Sequence, residues 1–242
     1  MRHMLYGQCD LCADETQWVF ILGTGRSGST TLLQMVNSIP GVDLNGENDG
    51  IMTDLGHIYK KLNSLQSNGI DAWQHNDVDF HELLCDVQQV VRTSLSFDQS
   101  QVWAAGFKEI RHHDIEGLNF FRKAFPCARF IVNYRQNITE QLESQTALGW
   151  EGTDLGTMNE HTQHLKEWAE SNSDVTHQLP LEEFSVESFN QLLPFLGVSN
   201  CTFTEVVHDN AQGYGQDRPT ASMDGTCVVT NSAQEAHHFI HL

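Results

Sequence analysis

The stretch WVFILGTGRSGSTTLLQMVNSIPGVDLNGENDG, residues 18–50, decides the fold. An apolar run at 18–22 is broken by a glycine- and serine-rich turn at 23–29, after which Leu32, Leu33 and Val36 follow at helical spacing. The order is strand, tight loop, helix. Such a loop presents successive backbone N–H groups at a helix N-terminus, where unpaired donors and partial positive charge form a phosphate cradle. An anionic ligand is expected.

One position narrows the kind of anion. A nucleoside triphosphatase needs G-x-x-x-x-G-K-[ST], in which the Lys spans the β- and γ-phosphates and the hydroxyl holds magnesium. Gly23 and Gly28 keep the glycine spacing, but Ser29 stands in the Lys position and Arg26 is the loop's one cation. The later strand at 129–134, RFIVNY, offers no carboxylate for magnesium. An ATP or GTP hydrolase is disfavoured. A nucleotide-binding P-loop protein of kinase type, or a non-catalytic nucleotide sensor, stands as the alternative reading.

The 242 residues suit one α/β domain with a mainly parallel sheet, preceded by a lead-in at 1–16 and followed by a tail or edge hairpin at 220–242. A net charge of −19 with only 13 Lys and Arg argues against nucleic acid, an anionic membrane surface or a sulfated polysaccharide as partner. Six of those 13 cations lie between Lys108 and Arg135, so positive charge is concentrated where an anionic ligand needs it. The oligomeric state is left open. Six cysteines without a dense framework read as reduced thiols, and no stretch approaches the roughly 20 apolar residues of a membrane span. The expectation is a soluble cytoplasmic enzyme, in which the sequons at Asn137 and Asn200 have no consequence. Cys9-x-x-Cys12 and His161-x-x-His164 have metal-compatible spacing, but no further ligands converge on either. No metal is expected.

Along the chain, helical spacing recurs at 55–65 and 80–95, two helices that shape a pocket or form a structural layer. Residues 102–107, VWAAGF, read as a buried strand running into Lys108, Glu109 and Arg111, where ligands gather beyond the carboxyl ends of parallel strands. A short helix at 117–125, the strand at 129–134, helices at 139–148 and 157–171 and a strand at 175–179 follow. Ser185 reads as the N-cap of a helix with Phe189, Leu192, Leu193 and Leu196 inside.

GTGRSGSTTL resembles the phosphosulfate loop of sulfotransferases that use 3′-phosphoadenosine-5′-phosphosulfate (PAPS), whose product is PAP. GFKEIR and the run at 179–198 also look like family stretches. The resemblance implies that Gly25, Arg26, Ser27, Gly28, Ser29, Thr30 and Thr31 hold the 5′-phosphate. It implies that Arg135, at a strand end, and Ser144, in the next helix, hold the 3′-phosphate, and that a later loop containing Gly213 and Tyr214 covers the adenine. Arg26 and Lys108 are the expected catalytic cations. Gly46-Glu47-Asn48 resembles the segment carrying the base in tyrosylprotein-type relatives, so Glu47 is the expected base, with Glu109, His112 and His113 as substitutes. The expected reaction is sulfuryl transfer to a hydroxyl or amine of a neutral or cationic small molecule. The acceptor itself is open.

Overall fold

A computed structural model describes residues 9–13, 16–67, 78–96, 100–111, 114–150, 154–207 and 227–229. His112, His113, Gly213 and Tyr214 lie outside the described residues, as does most of the expected tail.

Five strands form one parallel sheet: β1 (Gln17–Gly23), β2 (Val42–Asn45), β3 (Ala104–Glu109), β4 (Arg129–Asn133) and β5 (Thr176–Gln178), in the order β2-β3-β1-β4-β5. β1 is central, which explains its unbroken apolar sequence: a parallel strand covered on both faces has no polar side. Its residues alternate between two cores. Trp18, Phe20 and Leu22 point to one face and Val19 and Ile21 to the other. Gly106 lets β1 and β3 approach closely, since a Cβ there would lie 1.8 Å from the Val19 carbonyl oxygen.

The first face is covered by α3 (Phe80–Leu95), α4 (Ile115–Ala124) and α6 (Leu155–Ser171), with α2 (Ile51–Ser67) packed on α4. Phe20 sits at its centre, its ring centroid 4.8–5.6 Å from those of Phe125, Phe107, Phe121 and Phe130. The second face is covered by α1 (Ser29–Asn37) and α7 (Val186–Phe195). An antiparallel pair, β6 (Cys201–Phe203) and β7 (Cys227–Val229), closes against α7. Ser185 caps α7 in a reciprocal arrangement with Ser188, and Phe189, Leu192, Leu193 and Leu196 are buried as expected. α5 (Ile138–Thr146) follows β4 at the carboxyl edge. Buried residues of α3 belong to the core, which supports the reading of that helix as a structural layer, whereas α2 also lines a cavity with α4.

Two expectations need correction. β3 runs two residues further than its apolar run, so Lys108 and Glu109 are strand residues, 6% and 1% exposed. The cysteines are not reduced thiols. All six pair, as Cys9–Cys85, Cys12–Cys127 and Cys201–Cys227. The first two tie the segment before β1 to α3 and to the turn between α4 and β4, and this removes one ground for the cytoplasmic expectation. Cys9, Cys85 and His81 are the one group among the described residues with metal-ligand proximity, and its two sulfurs are joined to each other. Among the described residues no helix is long and apolar enough to cross a membrane.

Candidate active site

The loop after β1 leaves the middle of the sheet at its carboxyl edge, where parallel α/β sheets bind ligands. Gly28 adopts a left-handed conformation (φ 81°) as N-cap of α1, without a side-chain cap bond and with no acidic residue in the first turn. The N-terminal donors of α1 therefore receive no carboxylate from their own helix, which suits an anion. Two glycines are required by neighbours as well as by the turn. A Cβ on Gly28 would lie 2.6 Å from Leu181 Cδ1, and one on Gly25 would lie 2.7 Å from the Trp150 ring.

Arg26 is left-handed too (φ 66°), a conformation that costs about 1 kcal/mol or more in a residue with a side chain and that concentrates at functional loops. The following Ser27 is fully buried. Its hydroxyl lies 2.6 Å from both Thr24 O and Asn133 Oδ1, and Asn133 Nδ2 donates to Leu179 O. Ser27 thus fixes the loop to β4 with its side chain. Ser29 and Thr31 are buried in the first turn of α1, and Thr30 between them is half-buried.

The loop is held from the other side by one face of α5. Gln141 Nε2 donates to Thr24 Oγ1 at 2.8 Å and to Gly25 O at 2.5 Å, and Gln145 Nε2 donates to Gly25 O at 3.2 Å. Arg26 Nε donates to Ser144 Oγ at 2.9 Å. Residues spaced three and four apart share a helix face, so positions 141, 144 and 145 meet the loop together. Gln141, Gln145 and Trp150 are absent from the sequence expectation, although three polar residues at this spacing were a readable signal for a polar helix face.

Ser144 thus contacts Arg26. Arg135, the residue expected beside it, is ion-paired with Glu140 in the first turn of α5. Its Nε is buried without a hydrogen-bond partner. The backbone N–H of Gln136 and of Asn137 each donate to the Glu182 carboxylate at 3.0 Å. Burial alone would raise the Glu182 pKa, and it is the largest single influence. The N–H donors of Gln136, Asn137 and Glu182 itself, together with the Arg135 charge, outweigh it, so the net shift is downward. Two of the chain's own carboxylates therefore accompany Arg135 and the start of α5.

Beside the loop lies a cavity of about 300 Å³, bounded by Thr24 and Gly25 on one side and by Ile110, Trp150 and Met158 on its apolar wall. Glu47, Arg111 and His161 bring its ionisable groups. Lys108 Nζ donates to Glu47 Oε1 at 2.8 Å, and Arg111 lies 3.5 Å from Glu47 Oε2. The fold thus joins two expected catalytic residues, Glu47 and Lys108, in an ion pair. Glu109 is turned inward, where Oε1 accepts from the backbone N–H of Ile110 and Arg111 at 2.8 Å, and Oε2 is buried without a partner. His161, which the sequence offered only as half of a metal-like pair, faces the cavity. Burial lowers its pKa below the ordinary 6.5, helped by the charge of His164 and opposed by Glu160.

A family model described as Sulfotransferase family matches residues 18–185, well over half of the chain. No curated protein matches the sequence significantly. Among solved structures, the chain is similar to a sulfotransferase from Alicyclobacillus acidocaldarius (15% identity, 82% of this chain and 86% of that one, TM-score 0.48). It is also similar to the sulfotransferase domain of the Synechococcus PCC 7002 olefin synthase (18% identity, 79% and 77% covered, TM-score 0.49). The sulfotransferase domain from the curacin biosynthetic pathway is a third (14% identity, 76% and 75% covered, TM-score 0.48). With a strand, glycine-rich loop and helix at the middle of the fold, and a family match that begins on that strand and runs to the N-cap of α7, the chain belongs to the sulfotransferase family.

Proposed function

We infer that the protein transfers a sulfuryl group from PAPS to a hydroxyl or amine of a small acceptor. The observation that carries this reading is the uncapped loop–helix cradle with Arg26 held at its rim by Ser144, opening beside a cavity that contains acid–base groups. The donor supplies the sulfuryl group, and the chain's residues hold, orient and neutralise. Backbone N–H groups from Arg26 to Thr31, with the Ser29, Thr30 and Thr31 hydroxyls, bind the 5′-phosphate. Arg26 stabilises the charge that grows there as the sulfuryl group departs. Arg135 and Ser144 are assigned to the 3′-phosphate, and Gly213 and Tyr214 to the adenine cover. A cavity of about 300 Å³ suits a small acceptor. The apolar wall and the net charge of −19 favour a neutral or cationic one.

The acceptor must give up a proton. Both oxygens of Glu47 face cations, which supports a role in orientation and charge balance. Burial lowers the His161 pKa and so favours its unprotonated form in the same cavity, and we assign the proton to it. His161→Ala is expected to lower kcat by roughly 10²- to 10⁴-fold, and Glu47→Gln by no more than about tenfold, the equivalent of one weakened charged contact. The wild-type kcat is expected to be flat above pH 6.5 and to fall as pH drops through the lowered histidine value. A plateau that extends into the ordinary carboxylate range, with Glu47→Gln inactive, would return the proton to Glu47.

Glu140 competes for Arg135. Removing that charge in Glu140→Gln is expected to tighten PAP binding a few-fold, because an exposed ion pair of this kind is worth about 0.2–1 kcal/mol. Titration calorimetry of both proteins with PAP checks this, and unchanged or weaker affinity would detach Arg135 from the ligand. The 3′-phosphate assignment as a whole is tested by comparing PAP with 5′-AMP. PAP is expected to bind at least tenfold more tightly, and Arg135→Ala is expected to erase the difference.

A further inference from the structure

We propose that the chain matures in an oxidising compartment and carries an N-linked glycan on Asn200. Every cysteine is in a disulfide, and two of the bridges join residues 76 and 115 positions apart. Bridges of this kind persist where thiols are oxidised on folding, as in secretory lumina, and are rare where glutathione and thioredoxin keep thiols reduced. In such a lumen an Asn-x-Thr triplet is a modification signal, and the chain has two, Asn137-Ile138-Thr139 and Asn200-Cys201-Thr202.

The surroundings of the two triplets separate them. Asn200 is exposed at the bend before β6, Thr202 is exposed on β6, and Cys201 between them is buried in its bridge to Cys227. The strand's alternation therefore turns both groups that a glycosyl transfer requires toward solvent, and turns the cysteine inward. None of the residues lining the cavity beside the phosphate loop comes from β6 or β7. Asn137 is also exposed, but its side chain caps α5 by accepting from the Glu140 N–H at 3.2 Å, and its own N–H binds Glu182. It also follows Arg135 by two residues, where a sugar would crowd the start of the helix that holds the loop.

In the transfer, Asn200 Nδ2 forms a bond to the anomeric carbon of an oligosaccharide carried on a polyprenyl diphosphate. The bond from that carbon to the diphosphate oxygen breaks, and the lipid diphosphate leaves as the anion. The amide gives one proton to a base of the transferring enzyme. No oxidant or reductant takes part.

The first test is peptide mapping of the protein purified from its own cells under thiol-blocking conditions. The expected result is three bridged peptide pairs, conversion of Asn200 to Asp by an N-glycan-releasing amidase, and Asn137 unmodified. Free thiols or an unmodified Asn200 would overturn the proposal. The second test directs the full chain into the endoplasmic reticulum of cultured cells and follows the amidase-sensitive mobility shift. Thr202→Ala is expected to abolish the shift, whereas Thr202→Ser and Asn137→Gln are expected to retain it. Thr202 is exposed on β6, so its substitution removes no core contact, and Thr202→Ser keeps the signal at the same backbone position. A shift that survives Thr202→Ala or disappears with Asn137→Gln would refute the assignment.

Discussion

Replacing Arg26 by alanine is expected to lower kcat by roughly 10²- to 10³-fold while leaving the fold intact. Losing one preorganised donor to developing charge costs this much in comparable sites. Arg26 meets the structural conditions for that role. It stands inside the loop between β1 and α1, its backbone is held left-handed, and Ser144 accepts from its Nε, which orients the guanidinium. A guanidinium can engage a serine through Nε and direct its terminal nitrogens, fixed in the same plane, at an oxyanion, whereas an ammonium offers a single nitrogen on a flexible stem. Arg26→Lys is therefore expected to recover little of the lost rate. Arg26→Gly separates chemistry from strain: it removes the same charge but accepts the positive φ, so it is expected to match alanine in lost activity and to exceed it in melting temperature. Rapid-quench measurement of the transfer step, with melting curves for each variant, checks both parts. Near-normal turnover in Arg26→Ala would remove this residue from the reaction.

Breaking the two N-terminal bridges is expected to be the most destabilising change available to the chain. In the chain-entropy account, closing loops of 76 and 115 residues restricts the unfolded state by about 4–5 kcal/mol each. Domains of this kind have only about 5–15 kcal/mol of total stability. A reductant in the melting buffer, or paired alanine substitutions at Cys12 and Cys127, is expected to lower the melting temperature by several degrees at least. Loss of both bridges is expected to bring unfolding close to ambient temperature. Coincident melting curves with and without reductant would show that the segment before β1 is held by packing alone.

Much of the fold was legible because its signals are local. An apolar run ended by Gly23 and followed by helical spacing describes β1, the loop and α1 without any tertiary information, and the helix expected at 80–95 coincides with α3 (Phe80–Leu95). The errors came where distant partners decide. Lys108 and Glu109 read as residues beyond a strand because charges rarely sit inside one, yet Glu47 pairs with Lys108 there and two backbone N–H groups donate to one oxygen of Glu109. The disulfides join residues far apart in sequence, so spacing alone could not reveal them.

The site was legible by the same division. The loop could be read from its glycines and Arg26, but the approach of α5 is tertiary. Only the folded chain shows Ser144 on Arg26, Gln141 and Gln145 on the loop backbone, and Arg135 turned to Glu140. His161 was visible as a residue and invisible as a cavity group, because its depressed pKa arises from burial.

Transfer of label from sulfur-labelled PAPS into small acceptors, measured with EDTA present and with metabolite extract as the acceptor source, tests the central claim most directly. The account predicts a labelled product together with stoichiometric PAP, at a rate that EDTA does not change and that Arg26→Ala nearly abolishes. No labelled product from any extract, or turnover of ATP that depends on magnesium, would contradict it.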